Sequence, residues 1–143
     1  MRAQHGTLEH TADLGLWIEA EDLSGLFAGA AEALGQVMWE NPPPGEVVWR
    51  SLDLRGVDLV DLLVRYLNEL VYLFDAKDLL CLKVDTAIDQ HPDGSTVLVG
   101  RVGLVEFDPA QSNGATAVKA ATYHQAKLVR RGNRWRAEVF LDV

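Results

Sequence analysis

The sequence has a single cysteine, Cys81, and lacks the residue patterns that most often hold metals, nucleotides or catalytic nucleophiles. It contains no CxxC or HExxH motif for zinc, no GxxxxGK[ST] phosphate loop and no GxGxxG after a predicted strand. No serine lies in a nucleophile-elbow pattern. Cys81 lies among leucines, so we interpret it as a packed core residue whose thiol is inert. Zinc, nucleotide and covalent chemistry therefore have no support in the sequence.

Basic charge and long hydrophobic runs are also scarce. The net charge is -8, whereas proteins that grip nucleic acid by themselves usually present a basic surface. We therefore expect cations and basic protein surfaces, rather than nucleic acid, as direct ligands. No apolar run approaches the roughly 18–20 residues needed to cross a bilayer, and residues 1–6 lack the apolar stretch of a secretory signal. Together with the absence of an internal disulfide, these features predict a cytoplasmic protein.

The chain is long enough for one domain with a real core. It has 143 residues, of which 48% are hydrophobic and 24% charged, as in ordinary soluble globular proteins. Apolar residues recur at helical spacing over 22–38, which ends before the prolines at 42–44, and again over about 58–74. Asp58 is a plausible N-cap of the second helix. Two amphipathic helices are therefore predicted.

The remaining apolar segments alternate with the period of two that is typical of strands. Two hairpins are indicated, one turning at 91–94 and the other at 132–133. The predicted strands are 14–20, 47–54, 79–89, 95–107, 118–130 and 134–142. Hairpins imply antiparallel pairing, and two helices with apolar stripes need a sheet face to cover. We therefore predict an α+β fold, a layered sandwich in which two helices pack on one mixed, largely antiparallel sheet.

A carboxylate, an imidazole, a hydroxyl and a second carboxylate are concentrated in the segment from Glu9 to Asp13, before the first of these strands. Turns also favour Asp and Thr, because their side chains bond the local backbone. A turn-and-cap role is therefore an alternative to a functional site.

The extreme C-terminus is the second candidate site. Asp142 lies off the core face of the last strand, beside the α-carboxylate of Val143, and Asp13 has the matching parity before its own strand. Anionic groups held together repel each other unless a cation or a basic partner offsets them. Oxygen donors suit hard divalent ions such as Ca²⁺, Mg²⁺ or Mn²⁺. If the two strands are neighbours, three carboxylates converge; the alternative is a solvated Asp at a frayed end.

A third cluster lies in the segment 118–124. Lys119 and Tyr123 share strand parity and are candidates for contacts at a surface pocket, whereas His124 points to the other face. A solvated Lys and an amphipathic Tyr are the alternatives. A run of basic residues over 127–136 is interpreted mainly as a solvated edge that discourages strand addition, with docking of acidic surfaces as the alternative.

Taken together, these segments resemble the archease family. The resemblance is carried by the N-terminal signature Glu9-His10-Thr11-Ala12-Asp13, by the two helices, by the penultimate-strand motif and by the acidic end of the last strand. The helical and strand motifs are Leu26-Phe27 to Ala31-Glu32-Ala33-Leu34, Asn68-Glu69-Leu70-Val71-Tyr72-Leu73-Phe74, Val118-Lys119-Ala120-Ala121-Thr122-Tyr123-His124 and Leu141-Asp142-Val143. They occur in family order and span nearly the whole chain.

The resemblance implies a single domain over 1–143 with a β-hairpin insertion around 79–107. It implies a metal site formed by Asp13, Asp142 and Val143, and it carries a role in activating a partner over to Lys119. The implied partner is a GTP- and metal-dependent RtcB-type RNA ligase, which joins RNA ends in tRNA splicing through a guanylylated histidine. The family is thought to promote ligase guanylylation and multiple turnover without being an enzyme itself.

One departure from the family pattern lies before the loop at 108–117. The family usually has Gly-Glu and then, after a further residue or two, Asp, whereas this chain reads Leu104-Val105-Glu106-Phe107-Asp108. Either Glu106 replaces the acidic residue with a shift of one position, or the feature is lost.

Two other classes of function are compatible with the same residues. One is a metal-dependent hydrolase or cyclase that acts on a small phosphoester through the carboxylates. The other is a general chaperone or interaction module, which would be indifferent to Asp13 and Asp142. The leading hypothesis is that the acidic rim reaches into the ligase active site and orders its metal ions or its nucleotide.

Overall fold

The computed structural model describes residues 3–8, 13–111 and 116–143. Within them, strands and helices follow one another in the order β, β, α, β, α, β, β, β, β. The strands are β1 (Gln4–Leu8), β2 (Leu14–Ala20), β3 (Val48–Gly56), β4 (Leu79–Gln90), β5 (Thr96–Glu106), β6 (Ala120–Arg131) and β7 (Arg134–Asp142). The helices are α1 (Leu23–Met38) and α2 (Leu59–Lys77), with a 3-10 turn, Pro109–Gln111, after β5.

Both helices begin where the sequence predicts. The Asp22 side chain accepts a hydrogen bond from the Gly25 N–H at 2.7 Å at the start of α1, and Asp58 caps α2 in the same way. Helix α2 continues three residues beyond the predicted end at Phe74, because nothing before Asp78 breaks it. Asp78 adopts a left-handed conformation, with φ of 55°, and ends the helix.

The α+β class, with two helices packed on antiparallel strands, is confirmed, but the expectation of one mixed sheet is wrong. The strands form a four-stranded sheet in the order β1-β2-β7-β6 and a three-stranded sheet in the order β3-β5-β4. All the strand pairs described are antiparallel. Each predicted hairpin is present, but β4–β5 pairs outward with β3 and β6–β7 pairs outward with β2. The two hairpins therefore belong to different sheets.

Strand β1 is not among the predicted strands. The strand is only five residues long and pairs along the free edge of β2, from Gln4 opposite Glu19 to Leu8 opposite Gly15. A Cβ added to Gly6 would lie 2.5 Å from Trp17 Nε1, so the absence of a side chain there permits the close approach of the two strands. A short edge strand with weak alternation gives little periodic signal.

The main core lies between the helices and both sheets. It draws its buried residues from α1, α2 and strands of both sheets, and among the largest buried side chains are Phe27, Tyr66, Leu16, Ile18 and Leu98. A smaller cluster joins Trp39, Leu80, Val105 and Phe107, against which Phe74 stacks. Burial raises the pKa of Cys81 to about 12, which agrees with an unreactive core thiol. No helix among the described residues is long and apolar enough to span a membrane.

Tyr66 joins the two helices by a hydrogen bond inside this core. Its hydroxyl, which is fully buried, donates to the Phe27 carbonyl oxygen at 2.9 Å. Replacement by Phe keeps the packed ring and removes only this bond. We expect Tyr66→Phe to lower the free energy of unfolding by about 1 kcal/mol, the usual net value of one such bond. Urea unfolding followed by circular dichroism measures this; a loss below the error of that measurement contradicts the assignment.

Candidate metal centre

The pairing of β2 with β7 brings the start of β2 next to the end of β7. The strands are antiparallel, and the last pair in register is Leu14 opposite Leu141. Asp13 immediately precedes Leu14 and Asp142 immediately follows Leu141. The two aspartates therefore occupy the next facing positions, at the same end of this strand pair. The predicted neighbourhood of these strands is therefore present in the structure.

Alternation along both strands sets which face these aspartates occupy. Leu16, Val139 and Leu141 are buried on the face that the helices cover. Asp13 and Asp142 have the opposite parity; Asp13 is partly exposed and Asp142 is exposed. They therefore lie at a rim of the sheet, away from the helical layer.

The C-terminus is held on both sides, because β7 is an inner strand of the four-stranded sheet. On one side it pairs with β2; on the other, Asp142 faces Ala120 of β6, and the Lys119 N–H donates to the Asp142 carbonyl oxygen at 2.8 Å. Val143, 42% exposed, follows directly. Strand ends usually fray unless such pairing ties them down, so Asp142 at the end of β7 is anchored.

Lys119 lies beside this rim, because its backbone bonds to Asp142, and its side chain is exposed. Tyr123 is exposed as well, and a contact of both residues at a surface pocket stays a prediction. The Tyr123 hydroxyl donates to Asp61 on α2 at 2.6 Å. Tyr123 has the same parity as Ala121, whose backbone also bonds to α2, and the β6–β7 register shifts only after Thr122.

Glu106 lies elsewhere. It is the last residue of β5, exposed, and faces Leu79 of β4 in the three-stranded sheet. No strand pairing brings it to Asp13 or Asp142, which belong to the four-stranded sheet.

The donors at the rim are all oxygens, the type that hard divalent cations prefer. Over residues 3–8, 13–111 and 116–143, no group of three or more His, Cys, Asp or Glu side chains is assembled for a metal ion. Two side-chain carboxylates, from Asp13 and Asp142, are brought to facing positions next to the last pair in register of β2 and β7. The donor chemistry fits the predicted metal; Glu9 to Ala12 of the signature lie outside the described residues.

Comparison with known proteins identifies the family. The model of the Archease protein family (MTH1598/TM1083) matches residues 5–143. The chain belongs to the archease family. The protein archease of Pyrococcus furiosus is 34% identical to it over 136 residues, 94% of this chain and 95% of the relative. That of Sulfurisphaera tokodaii is 31% identical over 135 residues, 94% of this chain and 95% of the relative.

Solved structures agree with the fold. The solution structure of protein 1598 of Methanobacterium thermoautotrophicum superposes with a TM-score of 0.81 at 27% identity, covering 97% of this chain and 98% of that one. A crystal structure from Thermotoga maritima, described as an archease and possible chaperone, gives a TM-score of 0.55 at 19% identity, covering 95% of this chain and 94% of that one. This second likeness bears on the fold alone.

Two contacts between α2 and β6 of this archease were not predicted from the sequence. The Asn68 side chain accepts a hydrogen bond from the Ala121 N–H at 2.7 Å and donates to the Ala121 carbonyl oxygen at 3.0 Å. The sequence does contain a local signal for a special role of Asn68, because Asn is a poor helix former in the middle of a helix. Its partner 53 residues away gives no local signal.

The second contact is centred on Asp61, which is only 7% exposed in the first turn of α2. Its carboxylate accepts hydrogen bonds from the Tyr123 hydroxyl, the Val57 N–H and Arg65 Nε. Burial raises the pKa of Asp61, but these three hydrogen bonds outweigh it and hold the pKa below its ordinary value. The bond to Asp61 also raises the pKa of Tyr123.

The lowered pKa of Asp61 predicts a dependence of stability on pH. Its charged form favours the folded state, so this stability is complete above the unfolded-state pKa of about 4 and is lost as pH falls through the lower folded-state pKa. We expect Asp61→Asn to be less stable than wild type by about 2 kcal/mol at pH 7. The difference should shrink steadily as the pH is lowered through this range. Urea unfolding at a series of pH values measures it, and a difference that is constant with pH contradicts the role of the carboxylate charge.

Proposed function

We propose that this archease is a non-catalytic, metal-binding activator of an RtcB-type RNA ligase in tRNA splicing, which promotes ligase guanylylation and multiple turnover. The observation that carries the proposal is the position of Asp13 and Asp142 at facing ends of β2 and β7. In a chain matched by the archease model over residues 5–143, these are the two acidic residues to which the family resemblance assigns the metal site. We also propose a cytoplasmic location, with which the single cysteine agrees.

In this proposal the carboxylates of Asp13, Asp142 and Val143 hold Ca²⁺, Mg²⁺ or Mn²⁺. A bound divalent cation supplies positive charge that offsets the repulsion among the carboxylates. The chain contributes the rest: β2 and β6 fix the end of β7, and the helices leave the rim uncovered. An exposed rim is accessible to the active site of a second protein, and Lys119, whose side chain is exposed, is bonded to Asp142 through its backbone.

The charge of the chain supports a protein partner over direct binding of RNA. With a net charge of -8, the surface does not favour phosphate backbones, whereas it favours basic protein surfaces and cations. The Thermotoga maritima relative is described as a possible chaperone, which is also a role of assistance to another protein. Assistance restricted to the ligase differs from general chaperoning in its dependence on Asp13 and Asp142.

The terminal carboxylate is tested by extending the chain. Adding two glycines after Val143 moves the carboxylate away while leaving every side chain in place. We expect the Mn²⁺ dissociation constant, measured by electron paramagnetic resonance, to rise by at least about tenfold, since even outer-shell changes at metal sites cost this much. The matched control adds two glycines before Met1. Equal Mn²⁺ affinity of the C-terminally extended and native proteins would exclude Val143 as a ligand.

The activating role is tested with isosteric variants. Asp13→Asn and Asp142→Asn remove one negative charge each at the rim, whereas Asp89→Asn removes one from an exposed position of β4 in the other sheet. We expect the first two to reduce guanylylation of an RtcB-type ligase by GTP to the rate of the ligase alone, because the carboxylates are the proposed ligands. Asp89→Asn should stimulate as wild type does.

The measurement is the formation of the guanylylated ligase histidine and the number of RNA joining turnovers per ligase. All three variants should keep the wild-type circular dichroism spectrum, since their side chains are exposed or partly exposed. Full stimulation by Asp142→Asn would refute the proposed function. Stimulation lost in Asp89→Asn as well would indicate that net charge, rather than the metal centre, acts on the ligase.

A further inference from the structure

The end of β6 next to the metal centre is separated from the rest of its strand. The β6–β7 register runs from Ala120 opposite Asp142 to Thr122 opposite Phe140 and resumes only at Lys127 opposite Glu138. Between these points the four residues 123–126 stand opposite Val139 alone, and Gln125 adopts a left-handed φ of 59°. A bulge of this kind interrupts the ladder of hydrogen bonds. The short segment 119–122 therefore receives little support from the remainder of β6.

This segment also lies at the edge of the four-stranded sheet, so no other strand among the described residues pairs with its outer side. Helix α2 takes that place. The carboxamide of Asn68 bonds both the N–H and the carbonyl oxygen of Ala121, at 2.7 and 3.0 Å, as the backbone of a neighbouring strand would. Both main-chain groups of Ala121 are thereby satisfied by one side chain.

A second attachment holds the start of the bulge. Tyr123, the residue after the paired segment, donates its hydroxyl to Asp61 Oδ1 at 2.6 Å. Asp61 is itself fixed, since it accepts from the Val57 N–H and from Arg65. Asn68 and Asp61 lie seven residues apart, two turns along the same helix. Helix α2 is thus hydrogen-bonded to β6 at Ala121 and at Tyr123.

Segment 119–122, which α2 holds in this way, contacts the end of β7 that carries the proposed ligands. Lys119 is its first residue and donates its N–H to the Asp142 carbonyl oxygen at 2.8 Å. Since β6 is one of only two strands that flank the end of β7, a shift of 119–122 changes the position of Asp142 and Val143 relative to Asp13.

We propose that Asn68 is a positioning residue of the metal centre, which holds the Lys119 end of β6 against the C-terminus, with Tyr123 and Asp61 as its second attachment. In its metal part the inference rests on the proposed function. It goes beyond that function in assigning to α2, which supplies none of the proposed ligands, control over the geometry of the rim.

The experiment compares two variants of α2. Asn68→Ala removes the bonds to Ala121, whereas Tyr66→Phe, two residues earlier, removes the bond to Phe27 on α1. Hydrogen exchange of the Lys119 amide, measured by NMR without metal, is the first readout. We expect it to accelerate by about tenfold in Asn68→Ala, roughly the equivalent of one net hydrogen bond. In Tyr66→Phe, the exchange rate of the Lys119 amide should change no more than the lower global stability of that variant requires.

Mn²⁺ affinity is the second readout. We expect Asn68→Ala to weaken it by about tenfold, as for loss of an outer-shell contact, and Tyr66→Phe to retain it. Asn68→Asp, which accepts from the Ala121 N–H but cannot donate to its carbonyl, should lie between. Asn68→Asp and Tyr123→Phe also serve as milder variants if Asn68→Ala does not fold.

The outcomes separate the inference from the function beneath it. Unchanged Lys119 exchange in Asn68→Ala overturns the inference, whatever the protein binds. Accelerated exchange with wild-type Mn²⁺ affinity overturns it too, since α2 would then hold β6 without shaping the centre. If the wild-type protein binds Mn²⁺ no better than Asp142→Asn does, the proposed function and the metal part of the inference are refuted. Accelerated exchange in Asn68→Ala would in that case still support the attachment of α2 to β6.

Discussion

The antiparallel pairing of β2 with β7 is the constraint on which the rest of this structure depends. It joins residues near the start of the chain to its last strand, with Leu14 opposite Leu141. Without it the two ends would be tied only to their local neighbours, β1 and β6. With it, β7 becomes an inner strand, and the last residues, which fray in most chains, are paired on both sides. The candidate centre is a direct consequence, since Asp13 and Asp142 are the first residues beyond the end of that pairing.

The helical layer completes this arrangement in two ways. Its apolar faces cover the inner side of the sheets, where Leu16, Val139 and Leu141 are buried. On α2, the polar side chain of Asn68 bonds the edge of β6, where it takes the place of a neighbouring strand. The same helix therefore supplies nonspecific burial and a specific attachment. The specific attachment lies on the side of β6 opposite the strand that carries Asp142.

The sequence predicts most of the elements but fewer of their relations. Helices with a continuous apolar stripe and an Asp cap, and hairpins with turns at 91–94 and 132–133, depend on local interactions that a local pattern reveals. The division into two sheets depends on which strand each hairpin joins at its outer edge, and alternation alone does not specify that partner. The same holds for β1, whose five residues form a strand because β2 offers them a free edge.

The candidate site follows this division. Asp13 and Asp142 could be placed on the outward face from parity, and the resemblance supplied the expectation that their strands meet. The bulge of residues 123–126 could not be foreseen, since it has no marker such as glycine in its sequence. Asn68 and Asp61 act over 53 and 62 residues of chain. Contacts of that range become visible only when the sheet has been assembled.

The charge distribution at the rim points to function rather than to stability. Carboxylates at facing strand ends repel each other, and an apolar residue would extend the packing of the sheet at lower cost. Lys119 is bonded to Asp142 through its backbone N–H. Repulsion of this kind between residues at the ends of paired strands is typical of a functional site, where stability is reduced in favour of binding. The anionic charge at the rim has the sign and the donor type that a divalent cation satisfies.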